Sequence, residues 1–115
     1  MAYDADRVLW RGHCHCDSGR RNCAAPVTTF FAVANDGWHW TGETPSEFQS
    51  SDHATRLFCA KCGTPMAYRS TRYPDETHFY AATLADPVAF EPEQHFHWSE
   101  HLPWLPLADD LPRNG

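Results

Sequence analysis

Val27-Thr28-Thr29-Phe30-Phe31-Ala32-Val33 consists almost entirely of β-branched and aromatic residues, which favour extended backbone and pack well on a pleated surface. Successive side chains of a strand point to opposite faces, so this stretch presents apolar groups on both. The pattern predicts a strand that is covered on both sides. The next residues, Asn35-Asp36-Gly37, form a hairpin signal, which predicts that Trp38-His39-Trp40-Thr41 returns as the paired strand.

Outward from this stretch the sequence predicts further short strands and very little helix. The predicted strands are Val8-Leu9-Trp10, a strand at Phe48, Thr55-Arg56-Leu57-Phe58, Met66-Ala67-Tyr68-Arg69, residues 77–83 and His95-Phe96-His97-Trp98. One short helical turn, capped by Asp17 or Ser18, should end before Pro26. Asp86-Pro87 should begin a second single turn. Short strands at close spacing favour an all-β fold, and a length of 115 residues favours one domain over residues 1–115.

Composition excludes several classes of protein. The formal net charge is −6, with nine Lys and Arg against fifteen Asp and Glu, and this balance argues against a nucleic-acid partner. No apolar run approaches the ~20 residues that a membrane helix needs. The chain begins without a basic and apolar leader, and its five cysteines are an odd number for a disulfide framework. We therefore expect a cytoplasmic protein whose cysteines are reduced.

Two cysteine pairs are the strongest chemical signal. Cys14-His15-Cys16 and Cys59-Ala60-Lys61-Cys62 each place two thiols on one tight turn, close enough to share a tetrahedral zinc ion. Gly63 gives the second turn its backbone freedom, and Lys61 is positioned to offset thiolate charge. The spacing predicts a zinc site at Cys59 and Cys62. The alternative is a redox dithiol, which normally precedes a long helix that the sequence does not predict here.

A combination of motifs resembles one known family. The motifs are Cys14-His15-Cys16, Arg20-Arg21, Ala25-Pro26, Trp40-Thr41-Gly42, residues 58–65, Leu102-Pro103-Trp104 and Asp110-Leu111-Pro112. Together they resemble the glutathione-dependent formaldehyde-activating family, from about Gly12 to the C-terminus. The resemblance implies an Mss4-like (β-tent) fold of short antiparallel strands with a cysteine knuckle. It also implies two zinc sites, one structural, on an N-terminal Cys-x-Cys and the knuckle, and one catalytic, on a Cys-x-Cys-x-x-Cys run.

The sequence departs from this family pattern in two places. The family's N-terminal Cys-x-Cys segment has no room before Cys14, which leaves the knuckle cysteines without partners. The third catalytic cysteine should fall at position 19, which is Gly19. Three outcomes stay open: Cys23 supplies the third sulfur from the same helical face, the two pairs merge into one closed structural site, or the site is degenerate or metal-free. The candidate metal ligands are Cys14, Cys16, Cys23, Cys59 and Cys62.

The resemblance implies a zinc-dependent carbon–sulfur lyase similar to S-(hydroxymethyl)glutathione synthase. Such an enzyme joins a glutathione-like thiol to a small aldehyde, so a thiol and an aldehyde are the expected partners, with zinc as cofactor, glutathione as co-substrate and Cys14 and Cys16 as catalytic residues. The alternative is a catalytically degenerate, zinc-stabilised β module that binds a small thiol or a protein. The fold alone does not decide between them.

Several charged residues near these motifs have two interpretations. Arg20 and Arg21 are candidates to hold a substrate carboxylate, although paired arginines are more often simply exposed. His15 is either a proton shuttle or an exposed turn histidine. A separate hypothesis concerns the C-terminal region, where a cupin-like metal site would use the following set: His95, His97, Glu100 and His101.

Overall fold

The computed structural model of the protein describes residues 1–115. It contains nine short strands in two sheets and one short α-helix, which confirms the all-β prediction. The strands are β1 (Ala2–Tyr3), β2 (Val8–Cys14), β3 (Thr28–Ala34), β4 (Trp38–His39), β5 (Ser46–Gln49), β6 (Ala54–Phe58), β7 (Pro65–Ser70), β8 (Glu76–Tyr80) and β9 (His95–Phe96). The helix α1 (Asp17–Cys23) lies between β2 and β3. None of the helical segments has the length and hydrophobicity of a membrane-spanning helix.

Seven strands form one sheet in the order β5-β6-β7-β8-β3-β2-β9. All neighbours are antiparallel except β2 and β9, which run parallel. The strand β3 lies between β8 and β2, and its residues Phe30 to Val33 are buried on both faces. The prediction of a doubly covered strand at this place is therefore confirmed.

The predicted hairpin between β3 and β4 is wrong. Asn35–Gly37 forms a single 3-10 turn, and β4 pairs with β1 in a separate two-stranded sheet, with Tyr3 opposite Trp38. Both edges of β3 are already occupied by β2 and β8, so the returning chain has no free edge there. The N-terminal segment also packs closely on the turn, because the Asp4 amide donates to the Gly37 carbonyl at 2.8 Å.

The two faces of the large sheet differ in character. One face carries the apolar core, which consists of Phe31, Val33, Leu57, Ala67, Phe79 and Ala81. The Trp38 and Trp40 rings pack against this core from the same side, as predicted. Side chains alternate along strands, so the other face holds the register partners Cys14 and Thr28 and, two strands further, Arg56 opposite Tyr68. The helix α1 lies over this second face.

The helix α1 begins at an unusual cap. The sequence predicted Asp17 or Ser18 as the N-cap, but the cap is Cys16, whose sulfur accepts a hydrogen bond from the Gly19 amide. The thiol replaces the usual hydroxyl or carboxylate acceptor at this position. Ala24, with φ 51°, closes the helix in left-handed conformation, two residues before Pro26 as predicted. This cap holds one cysteine of the first pair at the start of the helix.

Candidate active site

Cys14 and Cys16 come together where β2 ends and α1 begins. Their sulfur atoms lie 3.3 Å apart, with the Cys14 thiol donating to Cys16 Sγ. The Gly19 amide donates to the same sulfur at 3.3 Å. The hydrogen bond from Cys14, helped by that amide, lowers the pKa of Cys16 to about 6. The same hydrogen bond, together with burial, raises the pKa of Cys14. The pair therefore holds one thiolate and one thiol at neutral pH.

Gly19 borders this pair directly. It is a buried residue of α1, and a Cβ built on it would lie 3.3 Å from Cys16 Sγ. Position 19, where the resemblance implies the third cysteine, therefore borders the cysteine pair. Glycine supplies no sulfur there, so the chain contributes two thiols where a three-cysteine centre would have three.

These donors do not fit the zinc centres expected from the sequence. No three His, Cys, Asp or Glu side chains are grouped as metal ligands. Cys23 does not complete the first pair, and it lies instead beside Asn22 and Tyr80. The merged site is not formed either, because β6 and β2 are four places apart in the sheet, roughly 19 Å at about 4.8 Å per strand.

The second pair, Cys59 and Cys62, occupies the turn between β6 and β7. The Gly63 amide donates to the Cys59 carbonyl at 2.7 Å, and the Cys59 amide to the Thr64 carbonyl at 2.9 Å. Gly63 has φ 77°, which supports the predicted need for glycine. A hydrogen bond with the Thr64 hydroxyl lowers the pKa of the exposed Cys62. The Lys61 ammonium group pairs with Glu43 at 3.1 Å, and its predicted role in offsetting thiolate charge stays a prediction.

His15 is buried, so the prediction of an exposed turn histidine is wrong. Only 2% of the residue is accessible, and its Nε2 lies 2.8 Å from Nδ1 of the equally buried His95. His95 Nε2 in turn lies 3.0 Å from both carboxylate oxygens of Asp109. A carboxylate only accepts, so His95 Nε2 carries a proton and donates it to Asp109. The hydrogen bond from His95 also lowers the pKa of Asp109.

The two arginines differ in exposure. Arg21 is 80% exposed, and its Nε donates to both carboxylate oxygens of Asp17 at 3.0 Å. Arg20 is less exposed, and its Nε donates to the His15 carbonyl at 3.1 Å while its guanidinium lies 3.6 Å from Asp17. Arg20 thus braces the turn between the two cysteines. Their predicted role in holding a substrate carboxylate stays a prediction.

The alternative histidine site is not assembled. β9 ends at Phe96, and His97 has left-handed backbone with φ 54° and an exposed side chain. His95 points into the interior toward His15, while His101 stacks on Trp98. These side chains do not form a group of three metal ligands, so the cupin-like hypothesis is wrong.

Comparison with models of protein families gives one match, described as glutathione-dependent formaldehyde-activating enzyme, over residues 2–100. The chain belongs to this family. A search of individually curated proteins finds no match. The family assignment confirms the resemblance found in the motifs, and it supports a formaldehyde-activating function related to glutathione.

Sequence reasoning missed two parts of this family member's site. One is the chain Asp109–His95–His15, whose members are far apart in sequence. The other is Arg56, which is buried and donates to Ser18 of α1 and to Tyr80. A charged residue inside the otherwise uncharged strand Ala54–Phe58 was the available signal, because charged side chains are rarely buried without a reason.

Proposed function

We propose that this chain is a carbon–sulfur lyase that joins a glutathione-like thiol to a small aldehyde, or releases it, at Cys14 and Cys16. The observation that supports the proposal is the 3.3 Å separation of the two sulfurs, one deprotonated and one protonated at neutral pH. Family membership supports glutathione as the thiol and formaldehyde as the aldehyde. The two thiols carry the proposed reaction, because the donor set does not fit a three-cysteine zinc centre.

The two thiols have complementary tasks in the proposed reaction. The Cys16 thiolate takes the proton of the incoming thiol, whose sulfur then attacks the aldehyde carbon. The Cys14 thiol gives its proton to the aldehyde oxygen, which becomes the hydroxyl of the product. The Cys16 thiol then returns its proton to Cys14 across the shared hydrogen bond. One carbon–sulfur bond forms, and the pair regains its starting protonation.

Coupling between the two cysteines suits this sequence of steps. The pKa of Cys14 is raised in part by its partner, through their hydrogen bond and the thiolate charge. Once Cys16 has accepted a proton that charge is gone, so Cys14 becomes a better acid at the moment when the aldehyde oxygen needs a proton. The buried His15, held by His95, fixes the turn that keeps the two sulfurs together.

A second candidate is a family member that binds the thiol without catalysis. Gly19 favours it, because a glycine at this position removes one sulfur from the site. The zinc-stabilised form of this candidate would need ligands beyond the two cysteines of the knuckle, since no third ligand accompanies them. Binding of glutathione without turnover would identify this case.

The experiment is exchange NMR on glutathione and ¹³C-formaldehyde, which measures interconversion of free and thiol-bound formaldehyde above the uncatalysed rate. Wild type should accelerate the exchange, and Cys16→Ser and Cys14→Ser should each remove most of the acceleration. Cys62→Ser is the matched control, because it removes a thiol from the turn between β6 and β7, three to four strand positions away from β2. Wild type that binds glutathione yet leaves the exchange rate unchanged would reject the lyase and favour the binding module.

A further inference from the structure

Arg56 is the only buried residue among the charged side chains of the protein, with 6% of its surface exposed. No carboxylate lies within ion-pair distance of it, although every other arginine of β2, α1 and β7 has an acidic partner. A guanidinium does not lose its proton in proteins. The fold therefore buries a positive charge that the chain itself does not neutralise, an arrangement that is costly unless something compensates it.

The partners of Arg56 are all neutral. Nη1 donates to the Tyr80 hydroxyl at 3.0 Å, Nη2 donates to Ser18 Oγ at 2.6 Å, and the guanidinium lies 4.6 Å from the Tyr68 ring centre. Burial raises the pKa of Tyr80 to about 12, so this hydroxyl stays protonated and adds no negative charge. Each terminal nitrogen of Arg56 thus donates to one hydroxyl oxygen, and the two oxygens of a carboxylate could take the places of both hydroxyls.

The Arg56 guanidinium lies directly beneath exposed residues of α1 and near the cysteine pair. Ser18 and Asn22, which hold Arg56 and Tyr80 from the helix α1, are both exposed residues. Ser18 is two residues after Cys16 on the first turn of α1, where Cα atoms two apart are separated by roughly 5–6 Å. An extended tripeptide spans about 10 Å from end to end, so a thiol on its middle residue lies within that distance of either terminal carboxylate. A thiol bound at Cys16 can therefore place a carboxylate at Ser18, which contacts the Arg56 guanidinium.

We propose that Arg56, whose terminal nitrogens Ser18 and Tyr80 occupy in the free protein, is the subsite that binds a carboxylate of the glutathione-like thiol. This inference rests on the proposed function, because it assigns the anionic end of that thiol. The ligand carboxylate supplies the negative charge that the protein lacks, and it enters by displacing the exposed Ser18 hydroxyl. The subsite would select thiols that carry a carboxylate over neutral thiols of the same size.

The test measures binding of S-methylglutathione, whose blocked thiol cannot react, by isothermal titration calorimetry. The variants are Arg56→Met, which keeps the length and removes the charge, and Arg56→Lys, which keeps the charge and loses the fork. Arg69→Met is the control, because Arg69 is a half-exposed arginine of the neighbouring strand and pairs with Glu47. Glutathione diethyl ester, S-methylated, serves as the probe without carboxylates.

Wild type should bind S-methylglutathione at least about tenfold more tightly than Arg56→Met does, and Arg56→Lys should fall between them. Wild type should bind the diester no more tightly than Arg56→Met binds the acid. Arg69→Met should bind as wild type. Free Arg56→Met should unfold at the wild-type temperature or above it, because it no longer buries an uncompensated charge.

Equal binding by wild type and Arg56→Met, equal binding of acid and diester by wild type, or no binding of any probe overturns the inference. Inorganic phosphate that displaces S-methylglutathione at equal concentration overturns the choice of a carboxylate. If Arg56→Met does not fold, the comparison of acid and diester on wild type and the Arg56→Lys variant decide instead. The probe cannot react, so this test is separate from the test of activity. If binding depends on Arg56 but the protein does not accelerate formaldehyde exchange, only the lyase is rejected. If the protein accelerates exchange but binding does not depend on Arg56, only this subsite is rejected.

Discussion

The imidazoles of His15 and His95 meet nitrogen to nitrogen at 2.8 Å in the interior of the protein, with 2% and 0% of their residues exposed. One proton between the two nitrogens makes this contact a hydrogen bond, whereas a proton on both nitrogens would set two N–H groups against each other. Burial, followed by the charge of His95, lowers the pKa of His15 to about 4. His15 is therefore neutral in the folded protein across the physiological range.

Acid should destabilise the protein through His15. The unfolded chain binds a proton at His15 near pH 6.5, whereas the folded protein binds it only near pH 4. The unfolded state thus takes up more protons in that window, and the free energy of unfolding falls as the pH drops from about 6.5 to about 4. We expect a loss of ~2 kcal/mol from this residue, measured by urea unfolding at pH 7.0, 5.5 and 4.5.

His15→Gln isolates the effect, since the glutamine side chain does not titrate. It should lower stability at pH 7 and flatten the dependence on pH between about 6.5 and 4. His39→Gln is the control, because His39 is an exposed histidine of the small sheet. A slope in His15→Gln as steep as that of wild type would show that other groups cause the acid sensitivity.

Cys16 should be a reactive thiol at neutral pH, because the thiolate is the nucleophile. Its pKa of about 6 depends first on the hydrogen bond from Cys14. Alkylation of Cys16 by iodoacetamide should therefore rise with a midpoint near pH 6 and then level off. In Cys14→Ala, which removes the donor, the midpoint should move to higher pH. Peptide mass spectrometry at a series of pH values follows Cys16 separately from the other four cysteines.

Cys23→Ala provides the comparison for this measurement. It removes a thiol of the same helix that makes no hydrogen bond to Cys16, so the Cys16 midpoint should stay near pH 6. A midpoint that is the same in wild type and Cys14→Ala would mean that the 3.3 Å contact does not stabilise the thiolate.

Gly12→Ala should weaken the attachment of the C-terminal strand β9. A Cβ on Gly12 would lie 2.5 Å from the Phe96 ring and 3.1 Å from the Gln94 carbonyl, so the strand must move. We expect a loss of about 1–3 kcal/mol in the free energy of unfolding, typical of overpacking, measured by chemical denaturation. Gly42→Ala, where no atom lies within 4 Å, should change stability little. Equal effects of the two substitutions would contradict this account.

The sequence was most informative where side chains report on their own backbone. The β-branched run at Val27 to Val33 and the glycine after Cys62 each require one local conformation, and the structure has it. Pairing was less predictable. Asn35–Gly37 has the composition of a hairpin turn, but the partner of Trp38 is decided by which edges other strands leave free, and β1 is the strand that meets it.

The contacts of the site were also predictable only where the residues are close in sequence. Cys14 and Cys16 are neighbours in the chain, so their contact was predictable from spacing alone. The contact of His15 with His95 joins residues 80 apart, and the contact of Arg56 with Ser18 joins residues 38 apart. Both depend on the order of strands and on the placement of α1. No local pattern encodes that order, so the buried polar groups were found only in the structure.

Gly19→Cys should convert the pair of thiols into a three-sulfur zinc site. The ideal Cβ at position 19 lies 3.3 Å from Cys16 Sγ and 3.9 Å from Thr28 Oγ1. A cysteine side chain therefore fits beside the pair if Cys16 Sγ moves by a few tenths of an ångström. Three thiolates around one open position are sufficient to hold zinc with a fourth ligand from solvent or substrate. Zinc per chain, measured by elemental analysis after dialysis against zinc, should rise by about one relative to wild type.

Two variants show whether the new zinc is bound where the geometry places it. Gly42→Cys adds a sixth cysteine at an open position, and it should leave the zinc content at the wild-type value. Gly19→Cys combined with Cys14→Ser should lose the added ion, because only two sulfurs remain at the site. Zinc that increases equally in Gly42→Cys would be adventitious binding to an extra thiol. Zinc that does not increase in Gly19→Cys would mean that the turn between Cys14 and Gly19 holds its sulfurs in a geometry that a tetrahedral ion does not accept.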